Sequence, residues 1–481
     1  MPSCMRHAFA TLTAAVLAAM IPATLSSQTP PRVTVDAGAL EGTIDSASGV
    51  PVFWGIPYAA PPVGPLRWQP PQPAPHWSGM REATRLSHNC MQVHVWDDID
   101  PFPAGVSEDC LYLNVWTTKV GSSGPKRPVM VWIHGGGYFA GFGGEERHNG
   151  ARLAEKGAVV VTFNYRLGPF GFLAHPGLTA ESPHHGSGNY GLLDQIAALQ
   201  WVQRNIRQFG GDPRRVTIFG ESVGGVSVGV LMASPLAKRL FQRGILESGT
   251  GIGSVEPRDS AEAGGVRFAS LLQVEGQGTE AIARLRAMSA DTLLAARFAP
   301  DPVADGWVIR APVDSALSRG IGQHVSVIVG SNRDEGADGD SWVGAPSRAM
   351  ARFVTARGNR AYLYQFTRVG DDSASQRMGA YHSSEITFVF GRPRPLQAVA
   401  GHTPYDSTLA DAMSDYWVSF AVSGDPNGPP NAGRLPRWPV YNAARDPYLE
   451  LGPVILQKDE LRRAVYDSLD RVARRGGAIR P

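Results

Sequence analysis

The chain has little cysteine, no excess of either charge and, past its first two dozen residues, no apolar run of membrane-spanning length. Each absence narrows the reading. With Lys+Arg 45 against Asp+Glu 43, a formal charge of +2 gives no electrostatic case for nucleic acid. The one long apolar stretch, Ala8 to Ala23, follows Arg6 and His7 and precedes the short, mostly polar Thr24 to Ser27. It is too short for a membrane span and has the outline of a secretory signal. Residues 1–27 are therefore expected to be removed, and 28–481 to be exported, periplasmic or secreted, as one domain with no stable membrane insertion. Of three cysteines, Cys4 lies in the signal. Cys90 and Cys110 remain as a pair in an exported chain, which argues for one disulfide across about 20 residues, worth about 3 kcal/mol. No acidic or His cluster has metal-ligand spacing, and there is no phosphate-binding Lys motif or dinucleotide fingerprint, so no metal or cofactor is expected. The charged C-terminal run from Asp459 to Arg475 reads as a solvated helix face.

What is present centres on residues 214–234, where the strand-like Val216 to Phe219 reaches Gly220-Glu221-Ser222-Val223-Gly224 and leaves as a small-residue helix. This G-x-S-x-G pattern holds a serine on a sharp, strained turn with its hydroxyl raised above a sheet edge. Glycine is needed at 220 and 224 because the helix must pack back across its own strand. Ser222 is the candidate nucleophile; the plain alternative is a Gly-rich strand-to-helix turn.

Upstream, the apolar strand Pro128 to His134 ends in Gly135-Gly136-Gly137-Tyr138, whose backbone can approach a substrate with its N–H groups turned inward. The expected oxyanion donors are the N–H groups of Gly136, Gly137 and Val223, while His134 reads as a structural hydrogen bonder. Strands are expected over 158–164, 243–247, 325–329 and 361–366, and helices over 190–209 and 409–422. A small antiparallel meander is expected at 33–54, followed by a Pro- and Gly-rich surface segment to Trp68. Alternating strands and helices imply a mostly parallel, doubly wound α/β sheet that binds ligands at the carboxyl ends of its strands.

A serine nucleophile needs a base able to take and return a proton near neutrality, hence histidine. In this kind of fold the order is Ser, acid, His, and downstream of Ser222 stand only His324, His382 and His402. His324 precedes the best acid, whereas His382 lies in a small-residue loop after a strand; His402 is the runner-up. Two carboxylates, Asp334 and Glu335, follow the strand ending near Val329, and the residues alone do not choose between them.

The assembled motifs resemble the type-B carboxylesterase family of α/β-hydrolases. The resemblance runs from about residue 33 to 445 through Gly55 to Arg67, Ser107 to Trp116, His134 to Tyr138, Asn164 to Gly168, Gly188 to Gln195, the elbow, Glu247 to Gly249, Asn332 to Gly336 and His382 to Phe390. It implies Glu335 as the acid and His382 as the base, a Cys90–Cys110 disulfide, and the scaffold ion pairs Arg67–Glu108 and Arg166–Asp194. It implies hydrolysis of small-molecule carboxylic esters through an acyl-enzyme. Val223 stands where the family usually has Ala and Glu247 where Gln is frequent. Glu335 and His382 are 47 residues apart, fewer than the family usually has, which implies a reduced helical cap and a mouth open to bulkier esters. Trp96 lies in the loop where cholinesterases carry a choline-binding Trp, although the register is offset and an exposed flap aromatic is the simpler reading. Rival readings are a non-catalytic adhesion domain, which lacks a triad member in such relatives, and action on amides or carbamates.

Overall fold

A computed structural model of the protein describes residues 29–96, 99–392 and 403–474. The expected signal and His402 lie outside these residues. An eleven-stranded sheet forms the centre. From one edge its strands run Leu456–Asp459, Pro447–Leu451, Ala361–Phe366, Ser326–Asn332, Arg243–Glu247, Gly211–Glu221, Arg127–Ile133, Val159–Phe163, Tyr112–Trp116, Pro51–Pro57 and Thr43–Ile44. Strands from Pro447–Leu451 to Val159–Phe163 are parallel, and antiparallel strands finish both edges.

The alternation of side chains divides the core in two. Val129, Val131 and Ile133 face the helices Tyr190–Asn205 and Val223–Ala233, while Met130 and Trp132 face the opposite layer with Met413 and Trp417 of Pro404–Ser423. Both faces are thus covered, and these strands are almost continuously apolar. Pro404–Ser423 begins with a capping box between Thr403 and Asp406 and stops at Gly424, whose φ of 73° suits a left-handed cap. Among the described residues no helix is long and apolar enough to cross a membrane.

Two expectations change, and the solvated C-terminal helix proves to be anchored as well. The N-terminal meander is divided: Arg32–Val35 and Gly38–Glu41 pair with Met80–Glu82 in a separate sheet, while Thr43–Ile44 and Pro51–Pro57 join the main one. The Gly- and Pro-rich segment is less superficial than its composition implies. Its Trp68 is buried and donates to the Pro169 carbonyl at 2.8 Å, and Arg67 holds Glu108 through two guanidinium nitrogens. The C-terminal helix Arg463–Arg474 is tied down, since Tyr466 is buried and Asp467 and Asp470 accept from the fully buried Arg348 at 2.8 and 2.9 Å.

Cys90 and Cys110 are joined as a disulfide, with Cα atoms 4.9 Å apart. Arg166 grips Asp194 with Nε and Nη2 at 2.8 and 2.7 Å, and both side chains are almost fully buried. Removing one partner strands a charge away from water. Arg166→Ala is expected to lower stability by about 3–5 kcal/mol, read as a fall in the urea midpoint at unchanged slope.

Candidate active site

Backbone geometry sets Ser222 apart. It has φ 57° and ψ −127°, a conformation that L-residues rarely adopt, at the junction of the strand Gly211–Glu221 and the helix Val223–Ala233. Its N–H donates to the Glu247 carbonyl at 2.9 Å, and its carbonyl accepts from Val226 at 2.9 Å. The neighbouring backbones leave no room for a side chain: a Cβ on Gly220 would lie 2.6 Å from the Ile133 carbonyl oxygen, and one on Gly225 the same distance from that of Gly249. Glycine is needed here so that helix and strand can touch.

The glycine loop lies against this turn. A Cβ on Gly135 would stand 3.2 Å from that of Ser222, and Gly136 and Gly137 take φ values of 100° and 61°, open to glycine at no cost. Tyr138 anchors the loop from beneath, its hydroxyl 3.0 Å from Ser227 Oγ on the elbow helix. Gly136, Gly137 and Val223 are each half-buried. His134 is buried, stacked on Tyr165 with ring centroids 4.3 Å apart, and burial lowers its pKa to about 4. It is a neutral structural group.

The loops that carry Glu335 and His382 meet at the same rim. His382 Nδ1 lies 2.6 Å from Glu335 Oε2. Asp334 turns away, its carboxylate held by Arg333 and by the Ala380 N–H at 2.7 Å. Glu335 is fixed further by the Ser248 hydroxyl at 2.6 Å and the Asn332 N–H at 2.7 Å. His324 is exposed ahead of its strand.

One contact differs from expectation. The Nε2 edge of His382 faces Glu221 Oε1 at 3.1 Å, and Ser222 Oγ has no hydrogen-bond partner among the described residues. An ionised carboxylate attracts an imidazolium more strongly than a neutral hydroxyl does, so the ring rests on the residue immediately before the serine. Burial opposes the charge on His382, but Glu221, then Glu335 and Glu385, outweigh it and hold its pKa up at about 10.

Behind the ring, Glu385 and Glu247 are fully buried. Glu385 accepts from Asn332 Nδ2 at 2.5 Å, and Glu247 from Trp417 Nε1 at 2.7 Å. Burial, then Glu221 and Glu335, push Glu385 up to about 8; burial and then Glu385 raise Glu247 well above the carboxylate range. The sequence reading missed the joint role of Ser248, Asn332 and Glu385. Each sits in a motif that was noticed, but no local pattern shows that loops so far apart in the chain share one carboxylate. Trp96 is partly exposed and tilts onto Phe139, centroids 5.0 Å apart. Among the described residues no group of three or more His, Cys, Asp or Glu is placed to hold a metal.

Comparison with known proteins agrees with this architecture. The model described as "Carboxylesterase family" matches residues 29–338 and 337–468. The fumonisin B1 esterase of Sphingopyxis macrogoltabida is 36% identical, over 88% of this chain and 87% of its own length. The para-nitrobenzyl esterase of Bacillus subtilis is 33% identical over 85% and 92%, and the liver carboxylesterase of Sus scrofa 33% over 88% and 89%. The chain belongs to the carboxylesterase family, α/β-hydrolases that act on small-molecule esters, and is a carboxylesterase.

The clamp on His382 has a pH consequence. A base must be neutral, so a raised pKa moves the acid limb of kcat/KM to higher pH. Removing the Glu221 charge lowers that pKa, and Glu221→Gln is expected to shift the limb to lower pH, as measured from initial rates between pH 5 and about 10.

Proposed function

We propose that residues 28–481 form one catalytic domain that hydrolyses carboxylic esters through a covalent acyl-enzyme, with Ser222 as nucleophile, His382 as general base and acid, and Glu335 as the group that orients the imidazole. The observation that carries this reading is the pairing of His382 with Glu335 at 2.6 Å beside a serine held at φ 57°.

In the first half-reaction neutral His382 leaves Glu221 for the adjacent Ser222, takes its hydroxyl proton, and Ser222 Oγ bonds to the ester carbonyl carbon. The carbonyl oxygen becomes an oxyanion received by the N–H groups of Gly136, Gly137 and Val223, each worth about 3 kcal/mol of barrier. The tetrahedral carbon then expels the alcohol, which leaves with the proton returned by His382. Water repeats the sequence on the acyl-serine, with its proton going to His382 and then back to Ser222 Oγ as the carboxylic acid departs. Glu335 stays ionised throughout and stabilises the imidazolium. Val223 suits its role despite its bulk, because the donor is its backbone N–H.

The esterase relatives and the half-buried rim around Ser222 support this reading. The Cys90–Cys110 disulfide supports export, because such bonds persist in oxidising compartments. The short connection from Glu335 to His382 supports a mouth that admits bulky esters: it comprises a π-helical turn, the helix Ala345–Ala356, the strand Ala361–Phe366 and the helix Ser373–Met378.

Rapid mixing with a p-nitrophenyl ester is expected to give a burst of p-nitrophenol in the native enzyme and none in Ser222→Ala. Glu335→Gln should keep the fold and lose about 10⁴-fold in kcat, since the amide favours the wrong tautomer. A burst that survives in Ser222→Ala refutes the nucleophile assignment. A series of acyl esters graded by bulk, run beside a full-length relative, tests the open mouth, and no relative gain for bulky esters removes it.

A further inference from the structure

One hydrogen bond holds the imidazole of His382, between Nδ1 and Glu335 at 2.6 Å, and Nε2 makes an ion-pair contact with Glu221 at 3.1 Å. Neither restrains the ring faces, and the side chain is a third exposed. The indole of Trp342 lies against the ring, centroids 5.1 Å apart and planes inclined at 59°. We infer that Trp342 is a positioning residue for His382, and that the C-terminal helix holds it in place.

The segment that carries the indole argues for this role. Trp342 sits in the π-helical turn Asp340–Gly344, a geometry whose hydrogen bonds span one residue more than those of an α-helix and which is often found at functional sites. Such a turn needs support, and residues of the last helix region supply it. Arg462 pairs with Asp340 at 2.6 Å, and the Tyr466 hydroxyl fills the space that a side chain at 344 would need. Arg348, in the helix that continues the turn, lies over the Tyr466 ring at 5.3 Å and binds Asp467 and Asp470. A chain of packed groups therefore runs from the C-terminal helix to the imidazole.

Trp342 acts on the orientation of the ring, blocking the swing that would carry Nε2 away from Ser222. The charged groups around the imidazole are Glu221 on the elbow strand, Glu335 after its strand and Glu385 on its own segment; Asp340 is paired with Arg462.

The inference rests on the proposed acyl-enzyme mechanism, and its test separates the two. Trp342→Leu and Trp342→Phe are compared with native enzyme for kcat, KM, the pH profile and thermal melting on a p-nitrophenyl ester, with Ser222→Ala in parallel. Trp342→Leu is expected to lose about 10- to 100-fold in kcat and to change KM by less than about twofold. Trp342→Phe, which keeps a ring there, should recover most of the kcat. Arg462→Ala, which loosens the turn without touching the indole, should give the same signature more weakly. A rise in KM with kcat unchanged would make Trp342 a wall of the mouth and overturn the proposal. A burst lost in Ser222→Ala, together with an unchanged kcat in a folded Trp342→Leu, would overturn the positioning role alone. A burst retained in Ser222→Ala would overturn the mechanism beneath it.

Discussion

The site depends on how closely a helix is allowed to lie on a strand. At Ser222 the chain reverses from the centre of the sheet into the helix Val223–Ala233, and the carbonyls of Ile133 and Gly249 occupy the space where side chains at 220 and 225 would project. The strained φ at Ser222 is sustained by the two ends it joins, a buried parallel strand and a buried helix. Were the contact looser, the serine could relax and its hydroxyl would lose its place above the sheet edge. The same closeness brings the Gly135 backbone beside Ser222, so the serine and the glycine loop are positioned by one packing event.

Charge is the second constraint. Glu221, Glu335 and Glu385 act on a single imidazole, and the buried Glu247 lies close to Glu385 and Glu221. Four ionised carboxylates cannot share so dry a space, and burial pushes Glu247 and Glu385 toward their protonated forms. Glu335 accepts from the Ser248 hydroxyl and the Asn332 N–H on one oxygen and meets His382 with the other. Family members with Gln at 247 would avoid one of these costs. Here Trp417 donates to one oxygen of Glu247, and burial favours a proton on that carboxyl.

Much of the fold was legible because the pattern is local. Arg243–Glu247 and Ala361–Phe366 fall on the expected boundaries, and Pro128 to His134 differs by one residue at each end. Their apolar runs admit no other buried conformation, and glycines mark where each element stops. The N-terminal region was harder. Met80–Glu82 is only three residues long, and its partner Gly38–Glu41 lies forty residues earlier, beyond the reach of any periodicity. The burial of Trp68 was hidden for the opposite reason, because a stretch rich in Pro and Gly suggests surface whether or not a later loop covers it.

By itself the sequence determined the class of fold, the elbow serine, the glycine loop and the disulfide pair, since each is written in contiguous residues or in a count. It left the choice between Asp334 and Glu335 to the family resemblance, because adjacent residues at a strand end differ only in direction. Only the tertiary structure turns Asp334 to the Ala380 N–H and Glu335 to the imidazole, an arrangement that supports the proposed role of Glu335. It also decided that Nε2 lies 3.1 Å from Glu221 and that the indole of Trp342 packs beside the ring. Contacts of this kind are made between loops whose positions follow from the packing of the whole sheet, and no stretch of chain encodes them alone.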